Sequence, residues 1–139
     1  MIIKSISNSI SNKKNKIDYA EIPEDELKRK ALERSAIKIL LSPEKYKTKA
    51  KPRQIDTGLN EILARIAAKN NISIGINLDE IKNLNISEKA ERLARIKQNI
   101  KICRKTSTKI ALKSKSNNSK FLLLSLGSST KQASEAQCF

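Results

Sequence analysis

Between Leu59 and Leu112 the apolar residues change their spacing three times, and this change limits the fold more than any other feature of the chain. Leu59, Ile62, Leu63, Ile66 and Ala67 fall at i, i+3, i+4, i+7 and i+8, the stripe of an amphipathic helix. Ile72, Ile74, Ile76 and Leu78 then alternate strictly with Ser73, Gly75 and Asn77, which is the period of a strand. Ala90, Leu93, Ile96, Ile100 and Cys103 return to helical spacing, and Thr108 to Leu112 reads as a further strand. Strands and helices in alternation are the signature of βαβ units on a parallel sheet. The face of the 72–78 strand opposite its isoleucines carries only small or polar groups. It either lines a crowded interior or faces solvent.

The flanks extend the pattern. Ala36 to Leu41 is a short apolar run closed by Ser42 and Pro43, which suits a buried strand ending in a turn. Before it, Pro23 and the acids Glu24, Asp25 and Glu26 precede Lys28, Arg29, Lys30 and Arg34, the charge order that complements a helix dipole over residues 23–34. Asp56 or Thr57 is the expected cap of the 59–67 helix, and Asn70 with Asn71 its stop. Ser87, followed by Glu88 and Glu91, is the expected opening of the long helix to Arg104. Phe121 to Leu126 reads as a short helix closed by Gly127, and Ser129 with Gln132 as a capping box for a last one. Residues 1–16 have no sustained period. The expected organisation is an N-terminal extension with a short helix over 1–35 and an α/β domain over 36–139. At 139 residues the chain is short for an eightfold barrel, which takes about 200 or more, so an open sheet or a partial TIM-barrel-like arc is expected.

Charge narrows the partners. The chain has 29 Lys+Arg against 14 Asp+Glu, a net +15, more than solubility asks of a small domain. Residues 1–35 carry 8 basic and 6 acidic side chains, so the excess belongs to the part after residue 35. A polyanion is the favoured partner, although Lys, Ile, Asn and Ser also abound together when codon usage is AT-rich. The chain has no His, which removes histidine general bases, catalytic triads and most zinc sites. Cys103 and Cys138 stand far apart with no C-x-x-C, and read as free thiols. No signal-peptide core and no run near 18 apolar residues is visible, so no membrane association and a cytoplasmic location are expected.

Two basic clusters are candidate RNA contacts. From Lys45 to Arg53 every second residue is basic (Lys45, Lys47, Lys49, Lys51, Arg53), with Tyr46 among them and Pro52 against helix. An extended backbone of this kind can track phosphates while Tyr46 stacks on a base; the plain alternative is a solvated loop. On the long helix, Lys97, Lys101, Arg104 and Lys105 share one flank and can lie across structured RNA, or serve only solubility. Arg92 and Arg95 lie on the other flank, where Glu88 and Glu91 are the expected partners. The serines at 114, 116, 119, 128 and 129 have no base beside them in sequence, so capping is the better account. Asp79 with Glu80 is a weak candidate for a divalent ion. No catalytic set, no metal site and no bound cofactor is expected.

Several segments together resemble a known family. Ile39-Leu40-Leu41-Ser42-Pro43, then Asp56-Thr57-Gly58-Leu59-Asn60 leading into residues 62–67, then the block from Asn70 to Leu78, are similar to archaeal ribonuclease P protein component three. That family is related to the eukaryotic p-thirty type subunit and to PHP-type barrels. Arg92, Arg95 and Asn99, then Lys113-Ser114 and Ser125-Leu126-Gly127, follow in the family's order over about residues 36–139. The resemblance implies a PHP-like, TIM-barrel-like fold and assembly with a ferredoxin-like protein subunit on a catalytic ribonuclease P RNA. That RNA, with Mg²⁺, cleaves the 5′ leader from precursor tRNA. Against the family pattern, the leading βα units are expected to be missing or replaced by residues 1–35, and residues 117–120 lack the Pro and acid that precede the last family helix. A general basic RNA-binding or ribosome-associated protein is the competing expectation. An independent small nuclease is disfavoured by the missing His.

Overall fold

The computed structural model describes residues 17–45, 58–114 and 119–139. The order is β1 (Ile17–Ala20), α1 (Asp25–Glu33), β2 (Ile37–Leu41), α2 (Glu61–Lys69), β3 (Ser73–Asn77), α3 (Leu78–Lys82), α4 (Ile86–Thr106), β4 (Ile110–Lys113), α5 (Ser119–Ser125), α6 (Thr130–Glu135) and β5 (Gln137–Cys138). All five strands are parallel and lie in the order β1-β2-β3-β4-β5, so each crossover steps to the next strand. Crossovers of one hand that always step the same way put every long helix on one face. The packing of α1 on α2 and of α2 on α4 agrees with this.

That face is the core. Ala20, Leu40, Ile74, Ile76, Ile110 and Leu112 from the strands meet Leu32, Leu63, Ala67, Ile96, Ile100 and Ala133 from the helices. The opposite face is narrower and its sequence explains how it packs. Leu41, Gly75 and Ala111 share one row across the sheet. A Cβ at Gly75 would come within 2.8 Å of Ile39 Cγ2 and 2.9 Å of Leu41 Cδ1, so the two large β2 side chains fill the space that glycine leaves. Ser73, Gly75 and Asn77 are therefore buried, and the strand lines a crowded interior.

The sheet is curled. A flat five-stranded sheet would hold its outer strands about 19 Å apart. Yet the Tyr19 ring of β1 lies 5.3 Å from that of Phe139, which follows β5, and Lys113 Nζ at the end of β4 sits 4.8 Å from the Tyr19 centroid. Singly wound parallel strands with this curvature form an arc compatible with part of a TIM-like barrel.

Several local expectations need correction. Periodicity predicts no strand before residue 36, but β1 is there, paired with β2, and Ala20 and Ile22 join the core. Four residues with the pattern Ile-Asp-Tyr-Ala are too few and too mixed to show a period. α2 starts at Glu61, capped by Asn60 Oδ1, which accepts from Leu63 N at 2.8 Å. Asp56 and Thr57 lie outside the described residues, and Gly58 at φ +72 turns the chain before the helix begins. α4 is capped by Asn85, which accepts from Glu88 N, so Ser87 sits inside the first turn. The connection after β3 contains α3, capped by Asn77. The left-handed Asn71 after α2 and the reciprocal Ser129–Gln132 capping box are as the residue types predict.

Candidate nucleic-acid interface

The carboxyl ends of β1, β2 and β3 converge on an ionic network. Arg92 of α4 donates from Nε and Nη2 to Glu44 Oε1, both at 3.2 Å, and from Nη1 to Glu80 Oε1 at 3.0 Å. Lys45 Nζ bridges Glu21 Oε2 at 3.0 Å and Glu80 Oε2 at 3.3 Å. Glu44 is 1% exposed, and burial holds its carboxyl above the ordinary 4.5 against the pull of Arg92. Burial also works to raise Glu80, but the hydrogen bonds and charges of Arg92 and Lys45 outweigh it and the carboxyl falls below 4.5. Burial pulls Lys45 down, and Glu21 with Glu80 more than restores it, to above 10.5.

This network revises the partners expected for Arg92 and Lys45. Arg92 reaches Glu44 and Glu80 rather than Glu88 or Glu91, and Arg95 is buried beside it in sequence. Glu80 is committed to two cations, which leaves the Asp79–Glu80 pair a poor ion site. Lys45, a candidate RNA contact, spends its charge on two carboxylates that sequence keeps 24 and 35 residues away. Neighbours in sequence show only Glu44 near it.

The basic run that starts at Lys45 continues through Tyr46, Lys47, Lys49, Lys51 and Arg53, all outside the described residues. Pro43 before the run and Gly58 after it are held together. Lys28 of α1 is 0% exposed, and its Nζ donates to Pro43 O at 3.3 Å and to Gly58 O at 3.1 Å. A side chain at Gly58 would overlap the Pro43 carbonyl oxygen, so glycine permits the approach. Pro43 and Gly58 thus meet at one point on the carboxyl edge of β2. Charge complementarity to the helix dipole says nothing of this role for Lys28. Its place three and four residues before the buried Ala31 and Leu32 is the signal that could have shown it.

On α4 the four ridge residues, Lys97, Lys101, Arg104 and Lys105, are all exposed. Lys105 turns to Glu61 of α2 at 2.6 Å, and that hydrogen bond lowers the Glu61 carboxyl below 4.5. Among the described residues Lys97, Lys101 and Arg104 make no ion pair. Three such charges make one side of the helix positive. Cys103, on the buried side of the same helix, has its thiol pushed up to about 12 by burial, so it is inert. No described helix is long and apolar enough to cross a membrane.

No protein-family model matches the chain. It is 26% identical over 112 residues to ribonuclease P protein component 3 of Methanococcus maripaludis, a match covering 79% of this chain and 46% of that protein. It is 28% identical over 123 residues to ribonuclease P protein component 3 of Methanococcus vannielii, covering 78% of this chain and 50% of that one. The chain therefore spans about half the length of these curated relatives. In fold it superposes on a chain of the cryo-EM structure of archaeal ribonuclease P with mature tRNA, with a TM-score of 0.74, 20% identity, and coverage of 95% of this chain and 58% of that one. The arc of parallel strands is thus similar in sequence to ribonuclease P protein component 3 and in fold to a chain of the archaeal ribonuclease P assembly.

Proposed function

We propose that this chain is a protein subunit of ribonuclease P that supports RNA-catalysed removal of the 5′ leader from precursor tRNA by binding RNA and a partner subunit. What carries the reading is one coincidence. Sequence similarity over more than three quarters of the chain leads to a ribonuclease P protein component, and fold similarity over 95% of it leads independently to an archaeal ribonuclease P assembly. The charge supports it: with net +15 and three cations on α4 that pair with no described carboxylate, the protein can lower the phosphate repulsion that Mg²⁺ otherwise screens when RNA folds and docks. In this reading catalysis and its Mg²⁺ belong to the RNA and no residue of this chain is catalytic. The protein partner is the ferredoxin-like subunit, the arc is PHP-like, and the assembly works in the cytoplasm.

Reconstitution tests the proposal. The purified chain alone should leave precursor tRNA uncut at any Mg²⁺ concentration. Added to cognate ribonuclease P RNA and the ferredoxin-like subunit, it should raise cleavage at the mature 5′ end at low Mg²⁺. Cleavage by the protein alone, or no stimulation of the reconstituted set, would overturn it.

A further inference from the structure

At the end of the sheet where the strands begin, a cleft of about 280 Å³ opens between the end of α4, the start of β4 and α6. Arg104 comes to it from α4, Lys109 from the residue before β4 and Lys131 from α6, with Ser107 and Ser129 beside them and Glu135 the single acid in the lining. Among the described residues none of the three cations makes an ion pair, so their charges are available.

The cleft is held in shape. Ser107 caps α4 in the left-handed conformation at φ 58, which turns the chain so that Lys109 shares a cavity with Arg104. α6 is tied to α4 by Gln132 Nε2, which donates to Ile100 O at 3.1 Å, and by the buried Ala133. The carboxyl end of a helix would ordinarily repel an anion. Here Cys103 O of the last turn accepts from Thr108 N at 2.9 Å, and the three full positive charges of Arg104, Lys109 and Lys131 outweigh the roughly half charge of the helix end.

We propose that this cleft seats the phosphates of an RNA strand. The strand's path begins on α4, where Lys97, Lys101 and Arg104, at i, i+4 and i+7, extend along about 10 Å of the helix side. It ends between Lys109 and Lys131. The inference rests on the ribonuclease P reading and adds to it a site for the RNA backbone. The shape favours RNA over an acidic protein, because a stable protein interface needs about 800 Å² of surface on each side. A cleft of this size, just under the range of small-ligand pockets, accepts instead a group of nucleotide dimensions. The two serine hydroxyls offer neutral donors to phosphate oxygens.

Anisotropy of a fluorescein-labelled oligouridine with the full chain, across a salt series, tests it. The Lys109→Gln/Lys131→Gln double variant should bind roughly tenfold more weakly and flatten the slope of log K against log salt by roughly 1.4, at about 0.7 for each phosphate the protein no longer neutralises. Lys30→Gln/Lys82→Gln, which removes equal charge from exposed lysines elsewhere, should leave the slope as it is. Glu135→Gln should tighten binding, a gain that a damaged fold cannot mimic. Equal losses from both double variants, or no gain from Glu135→Gln, would overturn the cleft. So would oligoglutamate displacing the RNA as well as unlabelled oligouridine does. Salt-steep wild-type binding that the cleft variants leave unchanged would remove the cleft and keep the ribonuclease P reading, whereas a wild type that binds no RNA would remove that reading first.

Discussion

The Glu44 carboxylate and the Glu80 carboxylate share one guanidinium, but their unequal burial leaves them shifted in opposite directions, and stability should record this. Glu44 is raised above 4.5, so the folded state binds its proton more readily than the unfolded chain does, and its contribution is full at low pH and lost as pH rises through and above 4.5. Glu80 is lowered, so its contribution is present above 4.5 and lost on acidification below it. Urea denaturation of Glu44→Gln and Glu80→Gln against the wild type from pH 3 to 7, roughly the carboxylate range, should therefore diverge. The Glu44 variant should recover ground on the wild type as pH rises, and the Glu80 variant should lose it. Parallel curves would show that Arg92 does not distinguish the two groups. At this scale the sequence was least readable. Composition announced the cations, but Glu21, Glu44 and Glu80 meet Lys45 and Arg92 only because three strand ends converge, and no local pattern contains that convergence. Among the ridge residues the same blindness was partial: spacing placed Lys97, Lys101 and Arg104 on one flank, but not the partner that Lys105 finds on α2.

Helix interiors were legible where a stripe of three or more large apolar residues set the period, as in α2 and α4. Their starts were not. Asn, Ser, Asp and Thr are near-equal caps, so a stretch such as Asn85-Ile86-Ser87 holds two acceptable candidates and only the backbone chooses. Here Asn85 is extended at φ −68 and ψ 168, and its side chain takes the Glu88 N–H. Asn85→Ala and Asn60→Ala should each cost about 1 kcal/mol, whereas Ser87→Ala should cost almost nothing, because alanine is the better residue inside a first turn. Thermal melts of the three variants measure this. A larger loss from Ser87→Ala than from Asn85→Ala would contradict the cap.

For the molecule as a whole, the parallel βα order followed from the alternation of periods, whereas an open sheet and a partial arc stayed equally open until the Tyr19–Phe139 contact showed the curl. Its two outer strands were missed because each is short: β1 mixes Asp18 and Tyr19 with two apolar residues, and β5 has only Gln137 and Cys138. β1 is nonetheless structural. Removing residues 1–16 should leave the melting temperature nearly unchanged. Removing residues 1–20 should lower it by several degrees, since the parallel pairing with β2, the burial of Ala20 and the Tyr19–Phe139 contact all go with it. Equal melting temperatures for the two truncations would show that β1 adds nothing to the fold. The strand order has another consequence. Because every strand pairs only with those next to it in sequence, no segment must wait for a distant one before it can be buried. Closing each unit brings together residues a few tens of positions apart, at a loop entropy that grows slowly with length. On a ribosome such a chain can be assembled in the direction of synthesis, each emerging βα unit docking on the edge left by the one before.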